Sequence, residues 1–117
     1  MDCSDLTREL KKHTELMDYT FTKHNFKVLN YSYVQWNSET ADAFLIVEIA
    51  STDIIDLDHN LRICVNLYNE SGDIICNKEG YILVDEFEGY DTIRVLLQYN
   101  GRALIEAKTA RVYMAYM

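Results

Sequence analysis

The stretch "LRICVNLYNESGDII", Leu61 to Ile75, decides how the rest of this chain is read. Leu61, Ile63, Val65 and Leu67 point one way and Arg62, Cys64, Asn66 and Tyr68 the other, the period-two pattern of a strand with one core face and one wetter face. Asn69-Glu70-Ser71-Gly72 follows, with Asn first and Gly fourth, the preference of a type I turn in which glycine accepts positive φ and forms a bulge. Ile74 and Ile75 then begin a returning strand. The tetrapeptide is expected to turn the chain, not to read a ligand.

Working outward, the residues from Phe26 onward come in short runs of Val, Ile, Tyr, Thr and Leu, which suit a pleated, half-buried surface. Strands are predicted over Phe26–Trp36, Ala43–Ser51, Leu61–Tyr68, Asp73–Val84 with a break near Gly80, Thr92–Tyr99 and Ala110–Tyr116. Between the last two, Asn100-Gly101 signals a hairpin while "RALIEAK" is made of good helix formers, and a helical turn in a crossover is the preferred reading. Upstream, "SDLTRELKKHTELMDY" has helical spacing, with Leu6, Leu10 and Met17 near one face, Ser4 able to cap and Asp5 in the first turn. One helix is therefore expected over residues 4–18, packed on the strands through that face, with His13 as a packed or boundary residue.

These elements predict a mainly β fold, an immunoglobulin-like antiparallel β-sandwich of six to seven strands with Greek-key connections and one N-terminal α-helix. The 117 residues, 49% hydrophobic and 12% aromatic, fit a single domain over 1–117, with the helix at 4–18 and the sandwich at 26–117. No repeat, linker or proline marks a boundary.

At Val65-Asn66-Leu67-Tyr68-Asn69, with Gly72 and Ile74-Ile75 after it, the sequence resembles the FxLYD-type modules of bacteria and archaea. Those are immunoglobulin-like or fibronectin-III-like sandwiches with a hydrophobic-x-Leu-Tyr-Asp strand end followed by a turn glycine. Val65 stands for the Phe and Asn69 for the Asp. The resemblance spans Ala43 to Leu97; it implies a fold and supplies no active site.

A formal net charge of −8 argues against nucleic-acid and anionic-membrane surfaces, which need clustered Lys and Arg. The longest apolar run, "AFLIVEIA", carries Glu48 and falls far short of a bilayer span, so no membrane insertion is expected. The N-terminus lacks the apolar run of a secretory signal, and three cysteines without Cys-x-x-Cys spacing read as reduced thiols; a cytoplasmic location is the expectation.

Neither a nucleophile elbow nor a glycine-rich phosphate loop is present, and His13, His24 and His59 have no nucleophile at motif spacing; a non-enzymatic protein without a cofactor is expected. "TDIIDLDHN" could present Asp53, Asp56, Asp58 and Asn60 to a cation, but it lacks the turn glycine and has Leu67 where an EF-hand needs a bidentate Glu. It reads as a solvated acidic loop, not a metal site. Glu86, Glu88 and Asp91 form a second such loop, and nothing in the sequence joins the two.

"YSYVQW" places Tyr31, Tyr33 and Gln35 on one strand face and Ser32, Val34 and Trp36 on the other. Tyr31, Tyr33 and Trp36 are the candidate binding surface, an aromatic platform for a protein partner or a sugar. The expected function is protein–protein interaction, with a partner or by self-association. The alternative is a small-ligand or carbohydrate module using that platform.

Overall fold

In the computed structural model, which describes residues 3–35, 43–98 and 105–117, the element order is α1 (Cys3–Lys12), β1 (Thr14–Leu16), α2 (Asp18–Thr22), β2 (Phe26–Gln35), β3 (Ala43–Ser51), β4 (Leu61–Tyr68), β5 (Ile74–Ile82), β6 (Tyr90–Gln98) and β7 (Thr109–Tyr116). Strand dominates, and the seven strands form two sheets, ordered β1-β7-β4-β5 and β2-β3-β6. The mainly β sandwich with an N-terminal helix is thus what the chain adopts.

Alternation builds the core. Ala43, Leu45, Val47 and Ile49 of β3 have no exposed surface, and across from them Ile63, Val65 and Leu67 of β4 are likewise fully buried. Val112 and Met114 of β7 and Val95 and Leu97 of β6 fill the remaining space. Complete burial of one such aliphatic side chain stabilises by about 1.5–3 kcal/mol, so these inward rows outweigh any local propensity.

The opening hairpin forms as expected. Gly72 N–H donates to Asn69 O at 3.0 Å, the Asn69 side chain accepts from Ser71 N and Asp73 N, and Gly72 has φ +83°. The register shifts between Leu67 and Tyr68, where the bulge sits. Strand β5 is continuous through Gly80, contrary to the expected break, because a Cβ there would lie 2.8 Å from Arg94 O and 2.9 Å from Ile93 Cγ2. Glycine lets β5 press against β6, and Cys76 Sγ donates to Leu97 O at 3.4 Å along the same seam.

The opposite seam, between β2 and β7, is filled by the N-terminal segment. Here the expected helix over 4–18 is corrected: α1 stops at Lys12, β1 follows, and α2 is a second helix. Leu6 and Leu10 keep the helical spacing and Leu10 is buried, but Met17, expected on the same stripe, lies beyond the end of α1 and stands at the N-cap of α2. Residues 14–16 instead pair with Ala110–Val112, and this pair is parallel, a departure from an all-antiparallel sandwich. Pairing along β7 satisfies the backbone groups of these residues and at the same time covers an otherwise open strand edge. Met17 N donates to Val112 O, Ala110 N to His13 O, and Met114 N to Thr20 Oγ1, so the N-terminal segment covers β7 along most of its length. His13 is exposed, not packed. Residues 99–104, with the Asn100-Gly101 hairpin signal, lie outside the described residues, as does Trp36; Ile105 and Glu106 of "RALIEAK" are described and are helical.

Candidate functional site

The wetter face of β4 becomes the centre of a polar surface once register is fixed. Cys64 sits between Glu79 of β5 and Tyr113 of β7, Asn66 between Asn77 and Arg111, and Arg62 between Tyr81 and Ala115. Glu15 of β1 stands beside Arg111. Period-two alternation therefore collects tyrosine, arginine and asparagine from four strands on the outer side of one sheet.

These side chains hold one another. Glu15 Oε2 accepts from Arg111 Nε at 3.1 Å, and the Arg111 guanidinium carbon lies 5.3 Å from the Tyr68 ring centroid. Asn66 donates to Tyr68 OH at 3.4 Å and accepts from Asn77 Nδ2. Tyr113 stands directly across from Cys64, and burial raises the Tyr113 hydroxyl pKa. Arg62 and Tyr81 both donate to Glu79, each at 2.7 Å. Those two donors, Tyr81 first and Arg62 second, hold the Glu79 carboxyl below its ordinary range, and the same bond raises Tyr81. Burial pushes the Cys64 thiol up despite nearby Arg62, and burial likewise pushes up Cys76, so neither is a ready thiolate.

At one end of this face Tyr68, Arg111, Glu15, His13, Thr109 and Gly72 line a groove of about 360 Å³. A second groove of about 400 Å³, between α1 and the segment 105–109, shares His13 and Thr109 with it. The turn glycine thus borders a groove although its own geometry is accounted for by the hairpin.

The residues expected to form a platform are placed elsewhere. Tyr33 is 5% exposed, with its hydroxyl 2.9 Å from Thr14 Oγ1 under the N-terminal segment, and burial raises its hydroxyl pKa. Tyr31 points the same inward way, half-buried, with Lys11 Nζ 5.3 Å from its ring centroid. Trp36 lies outside the described residues. Tyr33 is therefore no part of an exposed platform, because α1 and β1 cover the face that "YSYVQ" presents. The polar face of Tyr68, Tyr81, Tyr113, Arg62 and Arg111 went unrecognised as a site, although alternate positions of β5 and β7 carried the signal.

The two acidic loops, which nothing in the sequence joined, meet at one end of the sandwich. Ser51 N donates to Gly89 O at 3.0 Å, and Val84 N to Asn60 Oδ1 at 3.1 Å. Within the first loop Asp56 Oδ1 accepts from Asp58 N and Asp56 Oδ2 lies 3.5 Å from His59 Nδ1. Among the described residues no three His, Cys, Asp or Glu side chains are arranged to hold a metal ion, and no helix is long and apolar enough to cross a membrane.

Comparison of the chain with protein-family models, with curated proteins and with solved structures gives no match.

Proposed function

We propose that this chain is a non-enzymatic interaction module that binds a protein partner, or a second copy of itself, through the outer face of the four-stranded sheet. The observation that carries the reading is the row of hydrogen bonds and one cation–π contact from Glu15 through Arg111, Tyr68 and Asn66 to Asn77, with Tyr113 paired opposite Cys64 and with Tyr81 and Arg62 joined through Glu79. Tyrosine and arginine are the residues enriched at protein interfaces, and side chains already locked by their neighbours lose less entropy on binding. The FxLYD-like reading of Val65–Asn69 belongs to this proposal, supported by the hairpin and the positive φ of Gly72. A cytoplasmic setting fits the free thiols of Cys64 and Cys76, and the acidic charge speaks against nucleic acid.

The test is affinity capture from source cells with the wild-type chain and with a Tyr68→Ala, Tyr81→Ala, Arg111→Ala variant of matched melting temperature. A protein retained by the first and lost by the second supports the reading. Equal retention by both contradicts it.

The small-ligand or carbohydrate reading moves from Tyr31, Tyr33 and Trp36 to the groove beside Tyr68 and Arg111, whose ring and guanidinium line it. Calorimetric titration with a glycan panel checks it. Heat that saturates and is abolished by Tyr68→Ala would favour this reading over the first.

A further inference from the structure

The loop end of the sandwich carries two features that arise independently and coincide. Asp53, Asp56 and Asp58 from the β3–β4 loop and Asp85, Glu86 and Glu88 from the β5–β6 loop are all exposed there. So are large apolar side chains: Ile54 at 86%, Leu57 at 64%, Met117 at 62% and Leu83 at 43%. Carboxylates alone would be solubilising, and a single exposed leucine is ordinary; Ile54 and Leu57 exposed between Asp53, Asp56 and Asp58 in one loop are the pattern of a contact surface.

The surface is also built to hold its shape. Asn25, at φ +64°, donates from Nδ2 to Ile54 O at 2.7 Å and accepts Thr52 N at its carbonyl. Ile54 N is bonded to Asp53 Oδ1, and Met117 N donates to Asn60 O, pinning the C-terminus against the loop. Ile54 and Leu57 are thus held out in water by a fixed backbone. Against the same loop a cavity of about 60 Å³ is lined by Lys23, His24, Asn25, Asp56, Leu61 and Tyr116. His24 is 8% exposed, and its buried Nε2 has no hydrogen-bond partner. His24 and Asp56 both line this cavity.

We infer that this end is a docking surface for a basic, amphipathic segment of a protein partner, which covers Ile54 and Leu57 with its apolar side and sets Lys or Arg against the surrounding carboxylates. The occupant follows from charge complementarity: the two loops expose six carboxylates, and Lys23 lines a cavity beside Asp56, so an acidic or anionic partner is repelled while a basic one is steered in. The surface is distinct from the tyrosine face of the four-stranded sheet, and neither proposal depends on the other.

The test uses the full chain and two fluorescent peptides of about 18 residues, one of Lys and Leu in helical amphipathic spacing and one with every Leu replaced by Ser. The Lys/Leu peptide is expected to bind, at least tenfold more tightly than the Lys/Ser peptide, and to weaken as salt rises from about 50 to about 300 mM. Ile54→Ser with Leu57→Ser is expected to lose at least tenfold in affinity with an unchanged melting curve, since both side chains are exposed. Asp56→Asn with Asp58→Asn is expected to remove much of the salt dependence. Absence of binding by the Lys/Leu peptide, equal binding of the two peptides, or indifference to the Ile54 and Leu57 substitutions overturns the inference.

Discussion

The Thr20 hydroxyl bridges the N-terminal segment and the last strand: it donates to Met17 O at 2.7 Å and accepts from Met114 N at 3.0 Å. The hydroxyl stands where a neighbouring strand would otherwise have to provide a carbonyl. Thr20→Val keeps the shape and removes both bonds, leaving the Met114 N–H buried and unpaired at a cost of about 1–3 kcal/mol. Urea denaturation of Thr20→Val and Thr20→Ser checks this, with Ser retaining most of the stability. A larger loss in Thr20→Ser than in Thr20→Val would show that packing of the methyl group, not the hydroxyl, is what matters.

The same segment supplies Leu10, 2% exposed, and Phe21, 1% exposed, to the core. Phe21→Ala should cost about 3–5 kcal/mol, as other buried aromatic truncations do. Deleting residues 1–22 also strips β7 of its cover, and the expected product is unfolded or aggregated. A monomeric, cooperatively melting truncated protein would contradict the integral role given to this segment.

Gly72 and Gly80 are required for different reasons, and substitution separates them. A Cβ at Gly72 meets nothing within 4 Å, yet φ is +83°, so Gly72→Val should cost about 1–3 kcal/mol through the backbone alone while Gly72→Asn costs less. Gly80 is constrained by contact with the Arg94 carbonyl, so Gly80→Ala should cost about 1–3 kcal/mol by forcing β5 from β6. Glu70→Ala, at the exposed turn, should stay within about 0.5 kcal/mol. Chemical denaturation orders the four variants.

Burial, and secondarily Lys23 and His59, lower the His24 pKa from its ordinary value of 6.5, with Asp56 opposing. Between pH 6.5 and the lower folded-state value the unfolded chain therefore binds more protons than the folded one, so the His24 contribution to stability is full above pH 6.5 and is lost as pH falls from there through the folded-state value. The urea midpoint of the wild type should drop between about pH 7.5 and about pH 5, and that of His24→Gln should drop less. Identical slopes would remove His24 as the source.

The fold was largely legible where one face of a strand is strictly apolar. Ala43–Ser51 and Leu61–Tyr68 coincide with β3 and β4, and alternation of Leu45, Val47 and Ile49 left no other reading. Thr14-Glu15-Leu16 was illegible as a strand because three residues among helix formers carry no period of their own; β7's unpaired edge makes them one. The parity of Tyr31 and Tyr33 was correct, but an amphipathic tyrosine suits either side of a sheet, and only the covering helix sets them inward. The site was less legible still. Arg62, Asn66 and Tyr68 were visible as a wetter face, whereas Glu15, Glu79 and Arg111 join them through register between distant strands. The meeting of the Asp53 and Glu86 loops depends on how the two sheets connect, which local sequence does not encode.

The proposed interaction face is tested most directly by placing a photo-crosslinking benzoylphenylalanine at position 81, on that face and 52% exposed in the native tyrosine, and separately at position 29, where Leu29 is 49% exposed on the other sheet. Irradiation in the source cells should give a discrete covalent adduct from position 81 and none of the same mass from position 29. No adduct from position 81, or the same adduct from both positions, would contradict the assignment of that face as the binding surface.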